Sequence, residues 1–183
     1  ADHVKNKKVL DCFSYSGGFS LNAMAKGAKE VISVDSSALA LDTLKRNMEL
    51  NNFNNIPHRL IQSDVNKQLR AFREVNEKFD VIIVDPPAFI KRKKDHKEGL
   101  RAYQRINELA MRLLPEEGIL LSASCSMHLQ RDELMDVLRA GGTKTDRHIQ
   151  VLFEGSQGPD HPVHPAITET RYLKAFLART FRN

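Results

Sequence analysis

Two short stretches place reactive side chains at the ends of strands. In Val81-Ile82-Ile83-Val84-Asp85-Pro86-Pro87-Ala88-Phe89, four aliphatic residues run into a carboxylate, two prolines and an aromatic. An unbroken aliphatic run marks a strand buried on both faces of a parallel sheet. Proline lacks the N–H of a ladder and restricts the residue before it, so the strand stops there and the loop is stiff. Asp85 is therefore expected at the carboxyl end of a central strand, the edge at which open α/β sheets bind ligands. Its plainer reading is a strand terminus with an incidental acid. The second stretch, Ser124-Cys125-Ser126, follows an apolar strand and brings a thiol to the same edge. A thiol attacks as its thiolate and, with an ordinary pKa of about 8.5, needs help from its site at neutral pH. Without such help, cysteine is a small buried apolar residue.

The elements that must hold these residues alternate along the chain. Residues 8–13 read as the first strand, Ser14-Tyr15-Ser16-Gly17-Gly18 as a small-residue turn, and 19–26 as a helix closed by Gly27. A second strand covers 30–35. Ser36 or Ser37 can cap a helix running through Leu39, Leu41, Leu44 and Met48 to about Asn51. A third strand, 59–64, precedes a helix with Leu69, Phe72 and Val75, and then comes the central strand. An amphipathic helix over 100–114 is stopped by Pro115. A strand at 118–123 leads into the Ser-Cys-Ser stretch. A helix follows at 130–140, with Gly141-Gly142 after it. The last strands, 149–153 and 172–181, have no helix signal between them and should pair antiparallel. The pattern predicts a doubly wound, Rossmann-like α/β fold: a mostly parallel sheet with a C-terminal antiparallel strand pair. Residues 1–7 read as a linker, the end of a missing upstream segment, and 8–183 as one domain.

The first turn lies between a strand and a helix, where backbone N–H groups and the helix dipole meet a ligand. Gly17 and Gly18 let the backbone come close. Asp35 ends the second strand about 20 residues on, the spacing at which an acid meets ribose hydroxyls. Asp64, expected at the end of the third strand, could accept from an adenine amine. Three strand-end acids around one glycine turn describe an adenosine ligand. The G-x-G-x-x-G fingerprint and the P-loop pattern are both absent, which argues against a nicotinamide dinucleotide and a nucleoside triphosphate. S-adenosylmethionine carries adenosine without phosphate and fits.

Composition narrows the class. At 183 residues the chain suits a single domain. Its net charge of +5 suits a polyanionic partner. Two cysteines build no disulfide framework and match no zinc pattern, so no metal is expected. His161 and His164 lie between prolines without helical spacing and read as a loop near the substrate. No apolar run approaches the ~20 residues of a membrane span, and no signal peptide pattern precedes the first strand. A reducing cytoplasm is the expected compartment.

Val9 to Phe19 as one motif, Val34-Asp35-Ser36, Asp64-Val65, Asp85-Pro86-Pro87-Ala88-Phe89 and Ser124-Cys125-Ser126 together resemble the motifs of class I S-adenosylmethionine-dependent methyltransferases. In particular they resemble the catalytic domain of PUA-containing 23S rRNA cytosine-5 methyltransferases, a likeness that extends to Asp160-His161-Pro162-Val163 and Tyr172-Leu173-Lys174. The resemblance implies that S-adenosylmethionine is held by Phe13, Ser14, Tyr15, Ser16, Gly17, Gly18, Asp35, Ser36, Asp64, Val65, Asp85 and Pro86. It implies an RNA partner, large-subunit rRNA, and an upstream PUA-type domain that this chain lacks. A homodimer is an assembly open to such a chain.

The chemistry implied is specific. Carbon 5 of cytosine is a poor nucleophile until a thiolate adds to carbon 6. Cys125 is the candidate thiolate. Asp85 is its partner at the base, as an acid on the ring nitrogen. Pro87 and Phe89 would border the base, Phe89 by stacking. Lys91, Arg92, Lys93, Lys94 and Arg101 would meet phosphates, or form a solvated loop in the free protein. A second reading is methylation of another base, such as guanine at nitrogen 7, with Cys125 a bystander. A third is a non-catalytic module that binds S-adenosylmethionine and RNA.

Overall fold

The computed structural model describes residues 3–182. Seven strands form one sheet in the order β3-β2-β1-β4-β5-β7-β6. They are β1 (Lys8–Cys12), β2 (Glu30–Asp35), β3 (His58–Gln62), β4 (Val81–Val84), β5 (Gly118–Ser124), β6 (Arg147–Gly155) and β7 (Lys174–Arg182). The first five run parallel, and β7 is antiparallel to both β5 and β6. Five α-helices connect them: α1 (Gly18–Ala25), α2 (Ala38–Leu50), α3 (Val65–Glu74), α4 (His96–Leu113) and α5 (Arg131–Thr145). The expected doubly wound sheet with its antiparallel end is therefore present.

Strand alternation sorts the core into two layers. Leu10, Cys12, Ile32, Val34, Ile82 and Val84 face α3, α4 and α5. Val9, Val31, Val81 and Ile83 face the other side, with α1 and α2. The central strand β4 is buried along its whole length, as its aliphatic run requires.

β6 runs longer than the expected 149–153, and β7 begins at Lys174 rather than at 172. Four further boundaries shift for reasons that bear on the site and its packing. Phe13 is not a strand residue. Its φ is 62°, so the chain leaves the sheet at Cys12 in a left-handed step. Asp64 does not end β3, which stops at Gln62 opposite Asp35; it caps α3 instead, accepting from Lys67 N at 2.9 Å. Gly141 and Gly142 lie inside α5 rather than after it. A Cβ on Gly142 would come within 2.8 Å of the Arg147 carbonyl oxygen, and one on Gly141 within 3.3 Å of Met111, so the glycines let α5 pack closely on β6 and α4. Finally, α4 begins at His96, not at 100. Gly99 sits in its first turn because a Cβ there would lie 2.3 Å from Ile90 Cγ1, so the helix start rests directly on the loop after β4.

Residues 4–7 are tied to the domain. Val4 packs on the core, and Asn6 N donates to Gly27 O at 2.8 Å.

Candidate active site

The parallel register brings the strand-end residues level. Cys12 pairs with Val34 on one side and Val84 on the other, so Phe13, Asp35 and Asp85 stand side by side one residue later. With strands about 4.8 Å apart, Asp35 and Asp85 begin ~10 Å from one another, with the first turn between them.

That turn is held under strain. Phe13 and Tyr15 have φ of 62° and 48°, and Gly17 has 92°. Non-glycine residues pay for this conformation, and such outliers gather at ligand sites. Tyr15 N donates to Asp35 Oδ2 at 2.9 Å and Ser37 N to Asp35 Oδ1 at 2.9 Å, so the backbone of two elements fixes the carboxylate. Ser37, rather than Ser36, caps α2. Asn47 Nδ2 holds Ser16 O at 3.0 Å. Gly17 leaves no room for a side chain, since a Cβ would sit 2.0 Å from Leu44 Cδ1. Gly18 differs: a Cβ there would meet nothing within 4 Å, so the first residue of α1 borders open space.

Asp11 belongs to this site, and the sequence reading passed over it. It lies within β1 and is 1% exposed. Its Oδ2 accepts from Ser20 N at 3.0 Å and from Ser20 Oγ at 2.6 Å, while Ser20 Oγ meets Ser33 Oγ at 2.7 Å. Its Oδ1 is buried with no hydrogen-bond partner among the described residues. Burial pushes the carboxyl up to about 7, against the Ser20 bonds, and the charges of Asp85 and Asp35 push the same way. A signal was available: an acid inside an otherwise apolar strand needs a partner.

The second half of the site joins the loops after β4 and β5. Ser124 Oγ donates to Tyr103 Oη at 2.8 Å, and Tyr103 Oη lies 2.7 Å from Ser126 Oγ. Phe89 N and Ile90 N donate to Tyr103 Oη at 3.4 Å and Ser126 Oγ at 3.2 Å. Tyr103, a buried α4 residue, thus ties Asp-Pro-Pro-Ala-Phe to Ser-Cys-Ser. Phe89 packs on Tyr103 at 4.8 Å between ring centroids and edge-on to Phe13 at 6.3 Å.

Cys125 is half-buried between these loops. Burial pushes its thiol up and the neighbouring Asp85 adds to this, while backbone N–H groups of Cys125 and Ala88 and the charge of Lys174 pull it down. Burial likewise raises the Asp85 carboxyl. The structure thus brings Asp85 and Cys125 to one edge, close enough for their charges to interact. Pro86 is buried beside them and Pro87 is exposed.

Lys91, Arg92, Lys93, Lys94 and Arg101 are all exposed. Lys93–Asp95 form a 3-10 turn leading into α4, and Arg92 is engaged by Asp95 at 2.7 Å. Lys91 and Arg92 border a cleft of about 580 Å³ with Phe89 and Gly99. Among the described residues, no group of His, Cys, Asp and Glu could hold a metal ion, and no helix is long and apolar enough to cross a membrane.

The strand order, the reversed β7, the glycine turn after β1 and the acids closing β2 and following β4 define a Rossmann-like fold of the methyltransferase type. Residues 1–126 match the model of the family described as conserved hypothetical protein 95, and the chain belongs to that family. It is 41% identical over 177 residues to ribosomal RNA large subunit methyltransferase I of Escherichia coli (strain K12), covering 97% of this chain and 45% of that protein. The protein of the same name from Shigella boydii serotype 18 gives the same identity and coverage. The chain therefore spans less than half the length of these relatives. Among solved structures, SMU.776, assigned as a methyltransferase and complexed with SAH, superposes with a TM-score of 0.85 at 24% identity, covering 96% of this chain and 46% of that one. TrmN from Thermus thermophilus superposes with a TM-score of 0.69 at 20% identity, covering 99% of this chain and 46% of that one. These two establish likeness of fold.

Proposed function

We propose that this domain methylates carbon 5 of a cytosine in large-subunit ribosomal RNA, with S-adenosylmethionine as methyl donor and Cys125 as covalent nucleophile. The similarity to ribosomal RNA large subunit methyltransferase I supports methyl transfer and the RNA class, and the likeness to SMU.776, complexed with SAH, supports the donor. The observation that carries the cytosine reading is the thiol of Cys125 set beside Asp85 at the carboxyl edge.

The residues present fit the donor. The buried, unpartnered Oδ1 of Asp11 suits an ammonium or N–H donor. The space before Gly18 admits a ligand against the backbone. Backbone of Phe13, Ser14, Tyr15 and Ser16 would line the donor's amino-acid end. Asp35, with Ser36 beside it, would accept from ribose hydroxyls; Asp64 and Val65 would border the adenine, and Asp85 and Pro86 the methyl-bearing end. When bound, S-adenosylmethionine supplies the electrophilic methyl that an activated carbon 5 can attack.

The chain's own residues do the activation. The Cys125 sulfur forms a bond to carbon 6, and the carbon 5–carbon 6 π pair becomes available at carbon 5. Asp85, whose carboxyl burial holds towards its acid form, donates a hydrogen bond to the ring nitrogen and spreads the charge. Once the methyl has passed to carbon 5 and the donor has left as S-adenosylhomocysteine, water takes the carbon 5 proton, the C–H pair re-forms the carbon 5–carbon 6 double bond, and the carbon 6–sulfur bond breaks, returning the thiolate. Lys91, Lys93, Lys94 and Arg101 would hold the phosphates of a base already out of its stack, with Pro87 and Phe89 at its border.

Incubation of the protein with unmodified ribosomal RNA and deuteromethyl-labelled S-adenosylmethionine tests this by nucleoside mass analysis. Labelled 5-methylcytidine is expected from the native protein, with none from Cys125→Ala at unchanged circular dichroism. Label in another base, or full transfer by Cys125→Ala, would refute the cytosine assignment.

A further inference from the structure

We propose that Lys174 is the positioning residue of the Cys125 sulfur: its buried ammonium clasps the loop that follows the thiol and serves as the cation facing the thiolate. This deepens the cytosine reading and rests on it.

The placement comes from the sheet. Lys174 opens β7 directly opposite Ser124, the residue before Cys125. It is only 8% exposed. Its Nζ donates to Ser126 O at 2.6 Å and to Leu129 O at 2.5 Å, so one side chain fixes both ends of the turn leaving Cys125. An ammonium has three N–H donors. Two are spent on carbonyls, and the third has no hydrogen-bond partner among the described residues.

A buried lysine normally sits against a carboxylate, because an unpaired cation in low dielectric is costly. Among the described residues, no carboxylate forms a salt bridge with Lys174. Glu133 of α5 acts on it from a distance and is itself paired with His96 Nε2 at 2.9 Å. Burial pushes the Lys174 ammonium down from its ordinary value; the Cys125 sulfur, ahead of Glu133, pushes it back up, and the influence is mutual. The charge of Asp85 acts on the thiol in the opposite sense and disfavours the thiolate. The sulfur thus feels both an acid that the base needs and a cation that keeps the thiolate accessible. A structural role alone, bridging two carbonyls, does not require this electrostatic partnership.

The experiment reads ionisation directly, without RNA or methyl donor. The rate of iodoacetamide alkylation is followed against pH, with the adduct assigned by mass to the peptide carrying Cys125. Cys12 does not compete, being fully buried with its thiol pushed well above the ordinary range. In Lys174→Met the titration midpoint should rise by about one pH unit, lowering the rate at pH 7.5 about tenfold, and Lys174→Arg should restore it. A folded Lys174→Met with an unchanged midpoint overturns the proposal.

A reciprocal measurement needs no lysine variant. Coupling between two sites is equal in both directions. In Cys125→Ser the Lys174 ammonium, followed through its 13Cε resonance, should titrate lower by the same amount. An unchanged lysine titration overturns the proposal even if Lys174→Met fails to fold. Either result stands apart from the methylation assay with Cys125→Ala, so failure here is distinct from failure of the cytosine reading.

Discussion

The hydroxyl oxygen of Tyr103 lies 2.7 Å from Oγ of Ser126, and this contact joins the two loops that carry the candidate acid and nucleophile. Tyr103 accepts from Ser124 Oγ and Phe89 N, so its own proton is directed to Ser126. Removing the hydroxyl leaves buried donors unmatched on both loops. Tyr103→Phe should destabilise the domain by about 1–3 kcal/mol. It should also lower kcat at least tenfold with little change in S-adenosylmethionine affinity, because the glycine turn is held by other bonds. Urea unfolding, calorimetric binding and methyl-transfer kinetics separate these effects. Equal losses in binding and turnover would show that Tyr103 does not act through loop alignment.

Adjacent glycines have different reasons to be glycine. Gly17 combines a φ of 92° with a Cβ position 2.0 Å from Leu44 Cδ1, whereas Gly18 has neither restriction. Gly17→Ala should cost several kcal/mol, or prevent folding, through strain and overlap together. Gly18→Ala should fold with native or slightly raised stability and yet bind S-adenosylmethionine at least tenfold more weakly, since its methyl would enter the ligand's space. Thermal unfolding with and without ligand makes the comparison. Native affinity in Gly18→Ala would move the ligand away from this turn.

Much of the site could be read from the chain because the sheet edge is written locally. Apolar runs meeting Asp35 and Asp85 mark where strands stop, and the turn of small residues marks where the backbone is approachable. What escaped was set by contacts between distant segments. Asp64 carries the local signal of a helix cap, an acid directly before an amphipathic stretch, but β3 ends early because its partner β2 ends at Asp35. The glycines at 141 and 142 look like a helix stop, and only their closeness to Met111 and the Arg147 backbone explains them as packing residues. Lys174 looks like a strand-start lysine; its burial depends on the turn after Cys125 folding over it.

The Asp11 carboxyl gives the fold a distinctive pH dependence. Its folded pKa is raised by burial from 3.8 to about 7. Below 3.8 both folded and unfolded chains hold the proton. Between there and 7 the unfolded chain releases it while the fold keeps it, so this residue's contribution is lost as pH rises through 7. The loss is on the order of 4 kcal/mol. Asp11→Asn should therefore flatten the decline in stability between pH 4.5 and 8, measured by urea unfolding and compared with the native chain. A cationic donor placed at Oδ1 favours the carboxylate, so affinity for S-adenosylmethionine should increase with pH through 7 in the native chain and lose that dependence in Asp11→Asn. A slope that persists in Asp11→Asn would assign it to other groups.

The exposed cations before α4 should differ in what they give to RNA binding. Arg92 is held by Asp95 through two contacts, at 2.7 and 3.3 Å, so it must leave that carboxylate before meeting a phosphate. Lys93 and Lys94 have no salt-bridge partner among the described residues and sit on the 3-10 turn that projects from the start of α4. Each phosphate neutralised on single-stranded RNA releases counterions and adds about 0.7 to the slope of log K against log salt. Lys93→Gln with Lys94→Gln should therefore reduce that slope by about 1.4, while Arg92→Gln should change it by well under 0.7. Filter-binding titrations from 50 to 300 mM KCl provide the slopes. A slope unchanged by the double lysine variant would place the RNA backbone elsewhere. Equal effects from Arg92 and a single lysine would mean that the Asp95 pair opens freely when RNA arrives.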